Sequence, residues 1–241
     1  MTQPRADPIV ETDARGSGAP VVLVPGGLTG WASWLPHAER LSATHRVIRT
    51  QLLGVALRLR GAPLPPGYGL RMERHALERA LDEEGVTHAH VVGWSYGGGI
   101  ALDPGFEASR RLMASLDGED VSEDQLEAFL YDAGIVPAGE DARRDEGWPR
   151  WVQHRQSLRA IPAAYRDEDD VRRLASLHLP LLLFKGIGST TYDRAIVDLL
   201  GDACPDTRVE TLPGAHVLPI VSMDRFLAIV SAFLAAHPID A

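Results

Sequence analysis

His88-Ala-His-Val-Val-Gly-Trp-Ser-Tyr-Gly-Gly-Gly-Ile100 is the stretch that decides the fold. Ala89 to Val92 is a short run with two valines, entered from polar residues, and it reads as a buried strand. Gly93-Trp94-Ser95-Tyr96-Gly97 fits G-x-S-x-G. Gly98 to Leu102 is small and apolar and can open a helix. A strand that turns sharply into a helix lifts Ser95 to the apex, in strained backbone. Glycines on either side remove the side chains that would collide there. The hydroxyl is then exposed above the sheet, and the new helix points its N-terminus at whatever lies beside it. The competing reading is a Gly-rich turn in which Ser95 does no chemistry. The strand before the motif and the helix after it favour a nucleophile.

Upstream, Val21-Val22-Leu23-Val24 is a continuous apolar run, suited to a strand buried on both faces. It leads directly into Pro25-Gly26-Gly27-Leu28-Thr29-Gly30, where glycines let backbone come close to a ligand and leave N–H groups free. Trp31 and Trp34 follow, then a helix through Ala38 and Leu41. Val47-Ile48 marks another strand. Leu53 to Gly69, rich in glycine and proline, reads as a loop. Leu70 to Glu84 carries Met72, Ala76, Leu77, Ala80 and Leu81 among charges, with Gly85 just beyond, and predicts an amphipathic helix. Pro8 to Ala19 holds a short extended piece, Ile9-Val10, then a polar turn, as edge strands or an arm. The alternation of strand and helix implies an α/β fold with a mostly parallel sheet flanked by helices.

Downstream, Asp103-Pro104-Gly105 stops the elbow helix after about two turns. Phe106 to Leu179 contains no β-branched apolar run fit for a buried strand. Its patterns are helical: Leu126, Phe129, Leu130 and Ala133 share a face, and so do Trp148, Trp151, Val152, Arg155 and Leu158. The sheet pattern resumes at Leu181-Leu182-Leu183-Phe184. A helix face follows at Ile196, Leu199, Leu200 and Ala203, then a strand at Val209 to Leu212. Met223, Phe226, Leu227, Val230, Phe233 and Leu234 form a closing helix. The organisation expected is a core of residues 1–102 and 176–241 with a helical cap or lid at 103–175.

With 241 residues, of which 45% are hydrophobic and 24% charged, the chain can build one domain with a sizeable core. A net charge of -9 argues against nucleic acid as a partner, because phosphates would be repelled. The single cysteine, Cys204, leaves no disulfide framework and no cysteine-based zinc site. No signal-peptide core and no run of membrane-spanning length is present. A cytoplasmic protein acting on a small molecule, without metal or cofactor, is the expectation. Oligomeric state is left open.

A serine hydroxyl needs a base within hydrogen-bonding range. Of nine histidines, His216 stands apart. It follows the last strand in Pro213-Gly214-Ala215-His216, at the C-terminal edge where parallel sheets place their sites. Its competing role is a loop histidine capping the next helix. An oxyanion hole needs backbone N–H groups aimed at the developing charge. Tyr96 at the elbow and Gly27 or Leu28 in the earlier loop can supply them.

Val-Pro-Gly-Gly after a strand, Gly-Trp-Ser-Tyr-Gly at an elbow and Pro-Gly-Ala-His near the end, in that order, resemble the α/β-hydrolase superfamily. The resemblance spans residues 8–102 and 176–237. It implies Ser95 as nucleophile, His216 as base, and Gly27 and Tyr96 as oxyanion donors. The family's more usual His-Gly in the first loop is Pro25-Gly26 here, which is tolerable because the donors are backbone groups. Two departures are larger. The family's acid follows the strand before the histidine strand, but Ile187-Gly188-Ser189-Thr190 holds no carboxylate. Asp193 comes next, and it suits a helix start equally well. Some members carry the acid one strand earlier. The second departure is the strand that normally follows the elbow helix, which is missing; an acid placed there would be missing with it. Losing that strand leaves backbone groups to be paired or covered some other way.

These residues predict a serine hydrolase of esterase type, cleaving a small ester, thioester or lactone through an acyl-enzyme. Loss of the acid would impair it. Trp31, Trp34, Trp94 and Trp148 are candidates to line the substrate pocket, although each is equally suited to a core. The alternatives are a degenerate relative that binds a small molecule with little turnover, and acyl transfer to an acceptor other than water.

Overall fold

Val21, Val22 and Leu23 are completely buried, as a continuous apolar run demands. In the computed structural model, which describes residues 10–28, 30–97, 120–137, 139–160 and 178–239, they lie in the strand around which the first of two compact units is built. That unit comprises Met1–Gly99, Gln156–Asp167 and Ile239–Ala241; the second comprises Ile100–Arg155 and Glu168–Pro238.

The first unit contains a four-stranded sheet of order β1-β3-β2-β4, from β1 (Thr12–Arg15), β2 (Pro20–Val24), β3 (Arg46–Thr50) and β4 (His90–Gly93). β2 runs parallel to both neighbours, Val22 opposite Ile48 on one side and Val91 on the other. β1 pairs antiparallel with β3, Ala14 opposite Ile48. Helices α1 (Leu35–Leu41), α2 (Leu53–Leu59) and α3 (Leu70–Glu83) join these strands.

Two elements differ from the sequence pattern. The edge strand is Thr12–Arg15, which is polar, and Val10 is instead buried against Leu53, Tyr68, Ala76, Ala80 and Ala160. An edge strand needs ladder partners more than apolar faces, and Asp13 gains a further one in Arg49 of β3, at 2.6 Å. The second difference is α2, which occupies the stretch that reads as a loop. Its first N–H groups have no local cap. Glu73 of α3 supplies one from 20 residues away, accepting from Leu53 N at 2.7 Å and Gly54 N at 2.8 Å. A cap so distant leaves no signature in the local sequence.

The second unit contains α4 (Glu123–Asp132), α5 (Trp148–His154), the parallel strand pair β5 (Leu181–Gly186) and β6 (Thr207–Leu212), α6 (Thr191–Ala203), α7 (Leu218–Val221) and α8 (Met223–Ala236). Ser122 and Gln125 form a capping box that starts α4, each side chain bonding the other's backbone N–H. The described part of 103–175 is helical, with no strand. Residues 98–119 and 161–177 lie outside the described residues, and the short helix expected after the Ser95 turn falls among them. Among the described residues no strand intervenes between β4 and β5, and β4 ends the four-stranded order. Its residues alternate between half-buried and exposed, Val91 being 63% exposed, so the strand before the motif forms but is not the buried strand its valines predict: β4 has a described ladder partner on one side alone. No described helix is long and apolar enough to cross a membrane.

The burial contrast along paired strands gives a test. Leu23→Ala removes a fully enclosed side chain and should cost about 2–5 kcal/mol, whereas Val91→Ala should stay within about 0.5 kcal/mol. Urea unfolding of both variants measures the difference. Equal losses would contradict the assignment of β2 as the enclosed strand and β4 as the open one.

Candidate active site

At the end of β4 the backbone reverses at Ser95, whose φ is +56°. It is the one non-glycine with positive φ among the described residues. Ser95 is exposed, and Ser95–Gly97 forms a single 3-10 turn closed by Gly97 N bonding Trp94 O at 3.0 Å. A Cβ on Gly97 would stand 2.5 Å from the Val24 carbonyl oxygen and 2.6 Å from that of Pro25. The turn can therefore sit against the end of β2 only because position 97 is glycine.

The Pro25–Gly30 loop leaves the same edge, since Val24 pairs with Gly93 in the parallel register. A Cβ on Gly26 would lie 3.4 Å from Ser95 Cβ and 3.8 Å from its Oγ. This loop thus passes beside Ser95, with Gly27 and Leu28 both buried. Side chains hold it from several directions. Ser157 Oγ donates to Leu28 O at 2.9 Å and Ser33 Oγ to Gly30 O at 2.8 Å. Arg49 donates to Trp31 O at 3.1 Å and stacks its guanidinium over the Trp31 ring. Thr29 lies outside the described residues.

Trp34 is enclosed: its indole N–H donates to Val24 O at 3.0 Å, and its ring meets His37 and Trp94 edge-on. Trp31, Trp94 and, in the second unit, Trp148 are half-buried. Arg143 stacks over Trp148.

In the second unit, His216 follows β6 in the turn before α7. The β5 and β6 ends run side by side, with Gly188 N bonded to Gly214 O at 2.8 Å. Gly214 has φ +109°, a conformation only glycine adopts freely, and this directs the chain into the His216 turn. Asp193 lies in the first turn of α6, where its N–H bonds Thr190 Oγ1 at 3.1 Å and its carboxylate accepts from that hydroxyl at 2.9 Å. It also acts on His216. Burial pulls the His216 pKa below its ordinary 6.5, and the Asp193 charge pushes back upward without restoring it. Asp193 therefore starts a helix, and its charge also acts on the His216 imidazole. Ser95, Tyr96, Gly27 and Leu28 belong to one unit and His216 and Asp193 to the other. No group of three metal-ligating side chains occurs among the described residues.

A family model described as "Alpha/beta hydrolase family" matches residues 21–229. The chain belongs to that family. A relative in Azorhizobium caulinodans, named as carbamate hydrolase RutD, is 26% identical and aligns over 92% of this chain and 93% of its own length. Among solved structures, a hydrolase from Pseudomonas aeruginosa superposes with a TM-score of 0.77 at 24% identity, covering 93% of this chain and 94% of that one. The enol-lactonase of Burkholderia xenovorans gives a TM-score of 0.71 at 18% identity, covering 94% and 96%. The family and these names make the coarse activity a hydrolase.

Within this α/β-hydrolase the supporting residues are the ones sequence reasoning passes over. Ser157 and Arg49, which anchor the glycine loop, lie far from it in sequence. Glu73 carries a faint signal, since it shares the spacing of Ala76 and Ala80 on the buried side of α3. A charged residue on such a stripe has to find a partner.

The electrostatics of His216 predict a titration. Its imidazole should protonate with a midpoint below 6.5, followed by NMR of the ring protons. Among the described residues Asp193 is the charge that favours the imidazolium there, so in Asp193→Asn the midpoint should fall further. A midpoint unmoved in Asp193→Asn would mean that the carboxylate does not act on the ring.

Proposed function

We propose that the chain is a serine hydrolase that cleaves a small ester, thioester or lactone through an acyl-enzyme on Ser95. The observation that carries this reading is the φ of +56° at an exposed Ser95. Holding a non-glycine residue there costs of order 1–3 kcal/mol and persists only where the surroundings enforce it. Glycine would occupy the position without that cost, so the strain is tied to presenting a hydroxyl.

In this reading His216 removes the Ser95 proton as the oxygen attacks the substrate's carbonyl carbon. The oxyanion formed there faces the N–H of Tyr96 and that of Gly27 or Leu28. Collapse expels the alcohol, thiol or ring oxygen, which takes the proton from His216. Water then attacks the acyl-enzyme with His216 again as base, releasing the acid and restoring Ser95. Asp193 orients the imidazole and stabilises its charged form. Trp31, Trp94 and Trp148 offer partly exposed aromatic surface for the acyl group, with Trp34 backing Trp94, and residues 103–175 act as the cap. The relatives' names support an acyl substrate: a carbamate and an enol lactone both present a carbonyl carbon with a heteroatom leaving group.

The second reading, a binder with little turnover, draws on the absence of a described strand between β4 and β5. A fluorophosphonate probe separates the two. It should label Ser95 in the folded protein and not label Ser95→Ala. With a reactive ester, His216→Ala should lose roughly 10⁴–10⁶ in kcat and Asp193→Asn about 10⁴. Folded wild-type protein left unlabelled would sink the hydrolase reading in favour of the binder.

A further inference from the structure

One buried acidic group is left unused by this chemistry. Glu73 is 8% exposed, yet its carboxylate accepts three hydrogen bonds: Leu53 N, Gly54 N and the Tyr68 hydroxyl. Tyr68 is buried as well, and its oxygen lies 3.4 Å from the hydroxyl of Tyr96, also buried. Tyr96 is the residue after Ser95. The chain of contacts therefore runs from α3, through Tyr68 in the loop just before it, to the elbow, all within the first unit.

The carboxylate gives this chain a direction. Burial raises the Tyr68 pKa far above the usual phenol range, and the Glu73 charge adds to it, so Tyr68 stays a neutral donor. Its one hydrogen is committed to Glu73. The Tyr68 oxygen can then only accept, and between the two phenols Tyr96 must donate. Burial raises the Glu73 pKa also, while the three hydrogen bonds oppose the rise. Gly54 makes the arrangement possible: a Cβ there would overlap the Tyr68 hydroxyl and lie 2.6 Å from Ala160 Cβ.

We infer that Glu73, acting through Tyr68, is a positioning residue for the elbow, its buried hydrogen-bond chain holding the Tyr96 ring and hence the backbone N–H beside Ser95. The catalytic part of this inference rests on the hydrolase reading; the mechanical part does not. A fixed phenol ring leaves the Ser95–Gly97 turn little freedom, and an oxyanion donor is effective only if it is already in place.

Tyr68→Phe and Tyr96→Phe test this, because each deletes one oxygen of the link and keeps the ring. Amide hydrogen exchange at Gly97, whose N–H closes the elbow turn, should quicken at least ten-fold in either variant, with Val22 in β2 unchanged. On a 4-nitrophenyl ester, kcat should fall about ten-fold with KM within two-fold. The double variant should lose no more than the worse single variant, since both break the same link. Unchanged Gly97 exchange in Tyr96→Phe overturns the inference, whether or not Tyr68→Phe folds and whether or not the protein turns over esters. Losses in kcat that multiply in the double variant overturn it too. A wild type without esterase activity but with the predicted exchange would count against the hydrolase reading and leave the positioning role standing. If Glu73 merely caps α2, Tyr96→Phe will leave Gly97 exchange and kcat at wild-type values.

Discussion

The carbonyl oxygen of Val24 is where the site-bearing unit converges. It accepts the Trp94 N–H at 3.2 Å, continuing the β2–β4 ladder by one residue, and the Trp34 indole N–H at 3.0 Å. Gly97 is pressed against it so closely that no side chain fits. One acceptor thus fixes the end of the central strand, the start of the elbow and the ring beneath both. Because β2 is enclosed on both faces, that oxygen cannot retreat to water, and its partners are confined with it. The positive φ at Ser95 follows: the chain must reverse within a few residues while staying in contact with this point.

Around this anchor, buried charge does structural work at two places in the same unit. Arg49, almost fully enclosed, bonds Asp13 across the β1–β3 pair and the Trp31 carbonyl at the end of the glycine loop. The two arginines about Asp13 hold its carboxyl below the usual range against the opposing effect of burial. Glu73 caps α2 and reaches Tyr68. Both charges are multiply hydrogen-bonded, which is the condition under which a buried ion is tolerated. Each also connects an element of the scaffold to a loop that carries a candidate catalytic group.

Much of this was legible in the residue pattern. The apolar run at 21–24 and the apolar spacing from Met223 to Leu234 correspond to β2 and α8, because burial on a sheet or helix face imposes a period on the sequence, while the valines before the G-x-S-x-G mark β4 as a strand but not as the buried one they predict. The turn at Ser95 was legible because its glycines are required by close backbone approach. The helix at Leu53–Leu59 was not, because its cap is a side chain from α3. The edge strand expected within Pro8–Ala19 is present, but at Thr12–Arg15 and not at Ile9-Val10, for a related reason: its pairing comes from β3 and an ion pair, with no hydrophobic face to announce its place.

The sequence by itself determined the α/β architecture, the tight turn at Ser95, the glycine loop and the strand-end histidine. Each is encoded locally, by periodicity or by a glycine that a tight turn requires. Only the tertiary structure decided which polar groups support them. Asp193 acquires its relation to His216 because β5 and β6 end side by side. Ser157, Arg49 and Glu73 acquire theirs because distant segments are packed against the loops they hold. A buried polar group must find a partner, but the chain does not say in advance where along its length the partner lies.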